Sequence, residues 1–299
     1  MPLVVGYFFD VVMKEDVRVR ITIGVWVLGL SAILILAMMV LNGDLGSQKH
    51  QTAESSVTLS QYGLCVVEPE SVGVDYSQLQ YIDDVAQDML CDDVVGVAVA
   101  VISRGELCFE RCYGDIDAYR EVALPDAGAM LLAIDAVRSV EMGAYTFDEA
   151  VARMSQGRDS DVYLTAINNT LLPVLNMTHT RLAVDNPLEL YSTLKDLELY
   201  AAITAGSDEL PSGRVLSAVG AESLLSTTFG WSAPTYDSLL SSSAVEYCSP
   251  SAAIVVDKSL DVAILFVVDS DKALQRRAFE KFRSRVASIV AASATLRNE

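Results

Sequence analysis

Ser192-Thr-Leu-Lys195 is the one place in the 299-residue chain where a serine precedes a lysine by three positions. On a helix that spacing is one turn, so the ammonium can lie beside the hydroxyl and help take its proton, as acyl transfer to serine requires. The same four residues also read as a serine capping a surface helix with an exposed lysine on its first turn. His50 and His179 are the only histidines, and neither stands in a phrase that builds a Ser-His-Asp set. The cysteines Cys65, Cys91, Cys108, Cys112 and Cys248 form no zinc spacing. Cys108 and Cys112 on one strand would lie about 13 Å apart, too far for a disulfide with each other. Neither a metal nor a cofactor site is expected.

The elements that must position such groups follow from periodicity. Leu79, Ile82, Val85, Ala86 and Met89 recur at helical spacing within Asp75 to Cys91. Val94 to Ile102 is a continuous apolar run, and Ser103-Arg-Gly105 separates it from Glu106 to Tyr113, a hairpin whose first strand is central. Further helices are expected over Met130 to Met142, Asp161 to Leu175 and Thr193 to Thr204. A second hairpin joins Ala252 to Val256 with Val262 to Val268, and Lys272 to Ala292 closes the chain as an amphipathic helix. This order predicts an α/β (α+β) domain: an antiparallel sheet covered by helices from both ends of the chain.

Ahead of that domain, Ile21 to Leu41 contains no charged residue, and as a helix it would span about 30 Å, the thickness of a hydrocarbon core. Lys14, Arg18 and Arg20 before it, against Lys49 after it, predict an uncleaved anchor with its N-terminus in the cytosol or the mitochondrial matrix. The expected organisation is an apolar tail over 1–20, a transmembrane helix over 21–41, a linker over 42–67 and a folded domain over 68–299. The formal net charge is −19, which argues against nucleic acid as a partner because phosphates are bound by clustered Lys and Arg. From Glu68 to Asp161 there are 20 acidic residues, 6 arginines and no lysine. Asn168-Asn-Thr170 and Asn176-Met-Thr178 match the glycosylation pattern.

Several phrases resemble the serine β-lactamase-like family of penicillin-binding proteins, class C β-lactamases and mitochondrial β-lactamase-like proteins. Glu68-Pro-Glu-Ser-Val-Gly-Val-Asp-Tyr-Ser-Gln-Leu79, then Val95 to Leu107, then Cys112-Tyr-Gly-Asp115 resemble its opening helix and hairpin. Pro173-Val-Leu-Asn-Met-Thr-His-Thr-Arg181 resembles its "PLGMTDT" phrase. Thr193 to Tyr200 with Gly213-Arg-Val-Leu-Ser217 resembles the helix and "GRLLS" turn, and Phe229-Gly-Trp231 its "GLGW" strand start.

The resemblance implies an S-x-x-K nucleophile and base, a Tyr or Ser with Asn, and an H-x-G or K-T-G strand. Aligned back from Gly143, the first pair falls on Asp126 and Ala129. No Tyr-x-Asn occurs, the segment that should carry it is shortened, and the strand motif falls near Ser243-Ala-Val245, without His or Lys. With these departures, the chain is expected to be a non-catalytic, membrane-anchored accessory subunit, possessing no catalytic residues. It would meet the bilayer and other membrane subunits through its tail, span and acidic surface. The mitochondrial inner membrane is the expected place, with the secretory pathway as the alternative. Against this stand an active hydrolase using Ser192 and Lys195, and a binding module using the relict cleft.

Overall fold

Gly96 to Ser103 alternates small and branched apolar side chains, and every one of its eight residues is buried. A strand like this must be covered on both faces, and the alternation divides its side chains between two cores. In the computed structural model, which describes residues 64–90, 94–125, 127–157, 161–183, 189–207, 210, 213–270 and 276–295, this strand is β1. It lies between β2 (Glu106–Gly114) and β8 (Val262–Asp269), both antiparallel to it. The sheet continues through β7 (Ala252–Asp257) to an edge strand, β6 (Val245–Cys248), in the order β2-β1-β8-β7-β6.

Val97, Val99 and Val101 join Ile264 and Phe266 of β8 in one core, beneath α1 (Tyr81–Met89) and the C-terminal α7 (Arg276–Thr295). Ala98, Ala100 and Ile102 join Ala263 and Leu265 in the other, beneath α2 (Gly128–Glu141) and α5 (Leu194–Ala205). The alanines are the reason α5, which carries Ala201 and Ala202, lies directly on β1 and β8. The result is an α+β architecture, an antiparallel sheet between helical layers, as the element order predicted.

Further elements are α3 (Phe147–Gly157), α4 (Asp161–Ala166), α6 (Ala218–Leu224), several shorter helical turns and a small antiparallel sheet. That sheet has β3 (Val122–Leu124), β4 (Arg181–Leu182) and β5 (Leu190–Ser192) in the order β3-β5-β4. The helix expected from Asp161 to Leu175 is interrupted. After α4 the chain widens into a π turn over Ile167–Leu171 before helix resumes at Leu172–Val174. Pro173 has no N–H to donate and its ring crowds the preceding turn. Asn168 within the π turn holds β4 instead, accepting from Leu182 N at 2.8 Å and donating to Leu182 O at 3.1 Å.

At the start of the domain Leu64 is buried and Val67 N donates to Leu107 O at 2.8 Å. The expected span Ile21 to Leu41 and the tail before it lie outside the described residues. Among the described residues no helix is long and apolar enough to cross a membrane.

Candidate functional site

Two places can be tested against the sequence: the corner where α2 begins beside the edge strand β6, and the neighbourhood of Ser192 and Lys195. At the corner, Ala129 sits on the first turn of α2, half-buried, while Asp126 lies outside the described residues. The turn is held by two phenols. Tyr247 of β6 donates to Pro125 O and Tyr200 of α5 donates to Met130 O, each at 3.3 Å. Burial pushes the Tyr200 hydroxyl well above the ordinary tyrosine range, so it stays a neutral donor and is no base at neutral pH. Trp231 meets Tyr247 edge to face, ring centroids 6.4 Å apart. Beneath them Leu124, Ala127, Met130 and Ile254 line a cavity of about 10 Å³, room for one water molecule.

The edge strand expected near Ser243 to Val245 is found at Val245–Cys248, and Tyr247 is the side chain it presents to α2. Sequence reasoning missed Tyr200 and Tyr247 because isolated tyrosines carry no spacing signal. Only their convergence from two elements marks them.

Ser192 and Lys195 are close in sequence and engaged apart in space. Ser192 ends β5 and Thr193 is the residue that caps α5, its hydroxyl accepting from Asp196 N at 3.3 Å. Ser192 is fully buried, with its Oγ 2.7 Å from Thr180 Oγ1. Thr180 donates its own proton to Asp196 Oδ2 at 2.7 Å, so Ser192 is the donor to Thr180. His179 adds its backbone N–H to the same oxygen at 2.8 Å. Its ring Nδ1 stands 3.7 Å from Asp196 Oδ1 and does not reach Ser192. The chain of bonds ties β5, the turn at 178–180 and α5 together, and no substrate can reach the hydroxyl at its end. His50 lies outside the described residues.

The Lys195 ammonium turns instead to Glu110 of β2 and to Glu198 Oε2, the latter at 3.2 Å. It is 13% exposed, so the expected exposed lysine of a surface helix is corrected: α5 is covered and its first-turn lysine is a buried counterion. Glu198 is fully buried and its Oε1 has no hydrogen-bond partner. Burial first, and the nearby Glu110 carboxylate second, push its acid up to about 8. For Lys195, burial opposes the charge, but the Glu198 and Glu110 carboxylates outweigh it and the ammonium is held above its usual range.

No protein-family model matches the sequence, and no curated protein matches it. Solved structures do match. A β-lactamase/D-alanine carboxypeptidase from Yersinia pestis, complexed with citrate, aligns at a TM-score of 0.56 and 9% identity, covering 72% of this chain and 99% of that one. A class C β-lactamase in complex with cefoxitin aligns at 0.53 and 14% identity over 74% and 100%. A β-lactamase/D-alanine carboxypeptidase from Pseudomonas syringae aligns at 0.52 and 10% over 70% and 98%. The chain shares the fold of these β-lactamases and D-alanine carboxypeptidases.

This corrects one expectation. Three missing motifs led to the chain being placed outside the enzymes, yet the solved proteins that share the β-lactamase-like fold are hydrolases by name. The physical reason is that side chains from separate elements can meet in space whatever phrase any one of them lacks. A missing phrase on one of them does not decide what the corner does.

Proposed function

We propose that this chain is a hydrolase acting on an acyl compound, an amide or ester bearing a carboxylate, and that it works tethered to a membrane. The observation that carries this is the corner where the first turn of α2 meets Tyr247 of the edge strand β6. The resemblance assigns that corner to the nucleophile and the substrate-edging strand. The β-lactamases and D-alanine carboxypeptidases of the same fold support acyl hydrolysis as the reaction class. Ser192 is not the nucleophile: its hydroxyl is sealed and its neighbouring lysine is bound to carboxylates. Treating the native protein with a fluorophosphonate and a fluorescent penicillin, and mapping any adduct by mass spectrometry, tests this. An adduct on the α2 or β6 side of the corner supports it. No adduct, with a chromogenic cephalosporin and a D-alanyl-D-alanine peptide both left intact, overturns it, and so does an adduct on Ser192.

A second reading concerns where the domain works. The uncharged stretch Ile21 to Leu41 behind an apolar tail supports a subunit of a membrane protein assembly that meets lipid and other subunits. The mitochondrial inner membrane, with the domain in the intermembrane space, is the setting we favour over the secretory pathway. Purification in mild detergent should bring down stoichiometric membrane partners, and a lone monomer would refute the assembly. A tagged protein found in secretory membranes would refute the location.

A further inference from the structure

The edge strand β6 has a second face. Tyr247 points to α2, and by alternation Glu246 and Cys248 point the other way, toward α7. There a groove of about 450 Å³ lies between β6, the turn beginning at Gly230 and the first turns of α7, a size that takes a small molecule. Arg283 of α7 lines it, 4% exposed, with one nitrogen on Glu246 and its Nε without a hydrogen-bond partner. Glu246 also accepts from Tyr236 Oη at 3.0 Å. Arg276, two turns earlier on the same face of α7, lines the mouth. The lining therefore holds two guanidinium groups and a single carboxylate. That is an excess of one positive charge, within a chain whose net charge is −19. The rest of the lining divides into an apolar part, Phe279 and Pro250, and hydroxyls such as Ser232.

We propose that this groove binds a small carboxylate, an apolar body against Phe279 with its anionic end between Arg276 and Arg283. A planar carboxylate matches the guanidinium fork and neutralises the one excess charge. A dianion would add negative charge against the field of the whole domain. The site lies on the opposite face of β6 from the corner assigned to hydrolysis, so it stands or falls separately from that function.

The test is calorimetric titration of the full-length protein in detergent with hexanoate, with hexanamide and inorganic phosphate as controls. Hexanoate should saturate one site, hexanamide should not bind, and the exposed change Arg276→Gln should weaken hexanoate on the order of tenfold. Arg283→Ala leaves Glu246 buried without a counterion and can unfold the domain. The paired change Arg283→Met with Glu246→Gln removes both charges, and should abolish binding while melting as one transition. Absence of saturable hexanoate binding, equal binding by Arg276→Gln or by the paired variant, or binding of phosphate in place of hexanoate overturns the proposal. Adduct formation by the acyl probes bears on the other face of β6 alone.

Discussion

Lys195 Nζ lies 3.2 Å from Glu198 Oε2, one turn along the same helix, with Glu198 fully buried and Lys195 13% exposed. A second carboxyl group, Glu110, shares the ammonium, so one cation serves two acids. This arrangement is what the S-x-x-K spacing of Ser192 and Lys195 became in three dimensions.

Removing Lys195 alone should be severe. At pH 9, where Glu198 is ionised, Lys195→Met leaves its carboxylate buried without a cation, and loss of one member of a buried pair typically destabilises by about 3–5 kcal/mol. Chemical denaturation should show that loss, while Lys195→Met combined with Glu198→Met should recover most of it. A single variant with unchanged stability would refute the buried pairing.

Glu198 should make stability depend on pH in an unusual direction for a carboxylic acid. Its folded acid titrates near 8, above the ordinary 4.5. Between those values the unfolded chain holds fewer protons at this position than the folded one. The stabilising contribution is therefore complete below about pH 4.5 and lost as pH rises through about 8. Melting temperatures of the native protein and of Glu198→Gln, compared over that window, should diverge with the variant showing the flatter profile. Parallel curves would show that Glu198 is ionised throughout.

Asn168 should resist glycosylation despite its matching triplet. Its amide bonds both backbone groups of Leu182, and a glycan on Nδ2 would replace one of its two hydrogens and crowd the nitrogen that reaches Leu182 O. Mass spectrometry of the purified protein should find Asn168 unmodified. Asn168→Ala should lower stability by about 1–3 kcal/mol, the range for stranding buried backbone groups.

Gly114 ends β2 at φ +76°, and a Cβ placed there would stand 2.4 Å from Val95 O. Backbone on both sides leaves neither partner free to give way. Gly114→Ala should destabilise by about 1–3 kcal/mol through strain and contact together, measurable as a lower midpoint in urea with an unchanged slope. A neutral result would mean the β1 to β2 end is looser than its geometry.

Both hairpins of the main sheet were legible in the sequence, because Val94 to Ile102 and Val262 to Val268 are apolar on successive residues and nothing but a two-sided burial suits them. The amphipathic helices at either end were legible from apolar residues recurring at helical spacing on one face. The small sheet β3-β5-β4 was not, since strands of two or three residues are too short to show a period. The edge strand β6 lies a few residues beyond the place near Ser243 to Val245 that the resemblance gave its motif, and Val245 to Cys248, four residues long, is too short to show a period of its own.

The candidate site divides the same way. Ser192 and Lys195 were found by spacing, yet spacing holds only on one helix. Ser192 belongs to a strand and Thr193 begins the helix, so their side chains leave in different directions.

What the sequence by itself determined is the α+β order of elements, the two-sided burial of β1 and β8, and the acidic character of the domain. All of these depend on residue type and local period. Only the tertiary structure decided that Tyr200 and Tyr247 meet over the first turn of α2, that Lys195 is a buried counterion, and that Arg283 faces a groove with a guanidinium nitrogen unpaired. Each of these depends on residues distant in sequence brought within hydrogen-bonding range, and no local pattern encodes that distance.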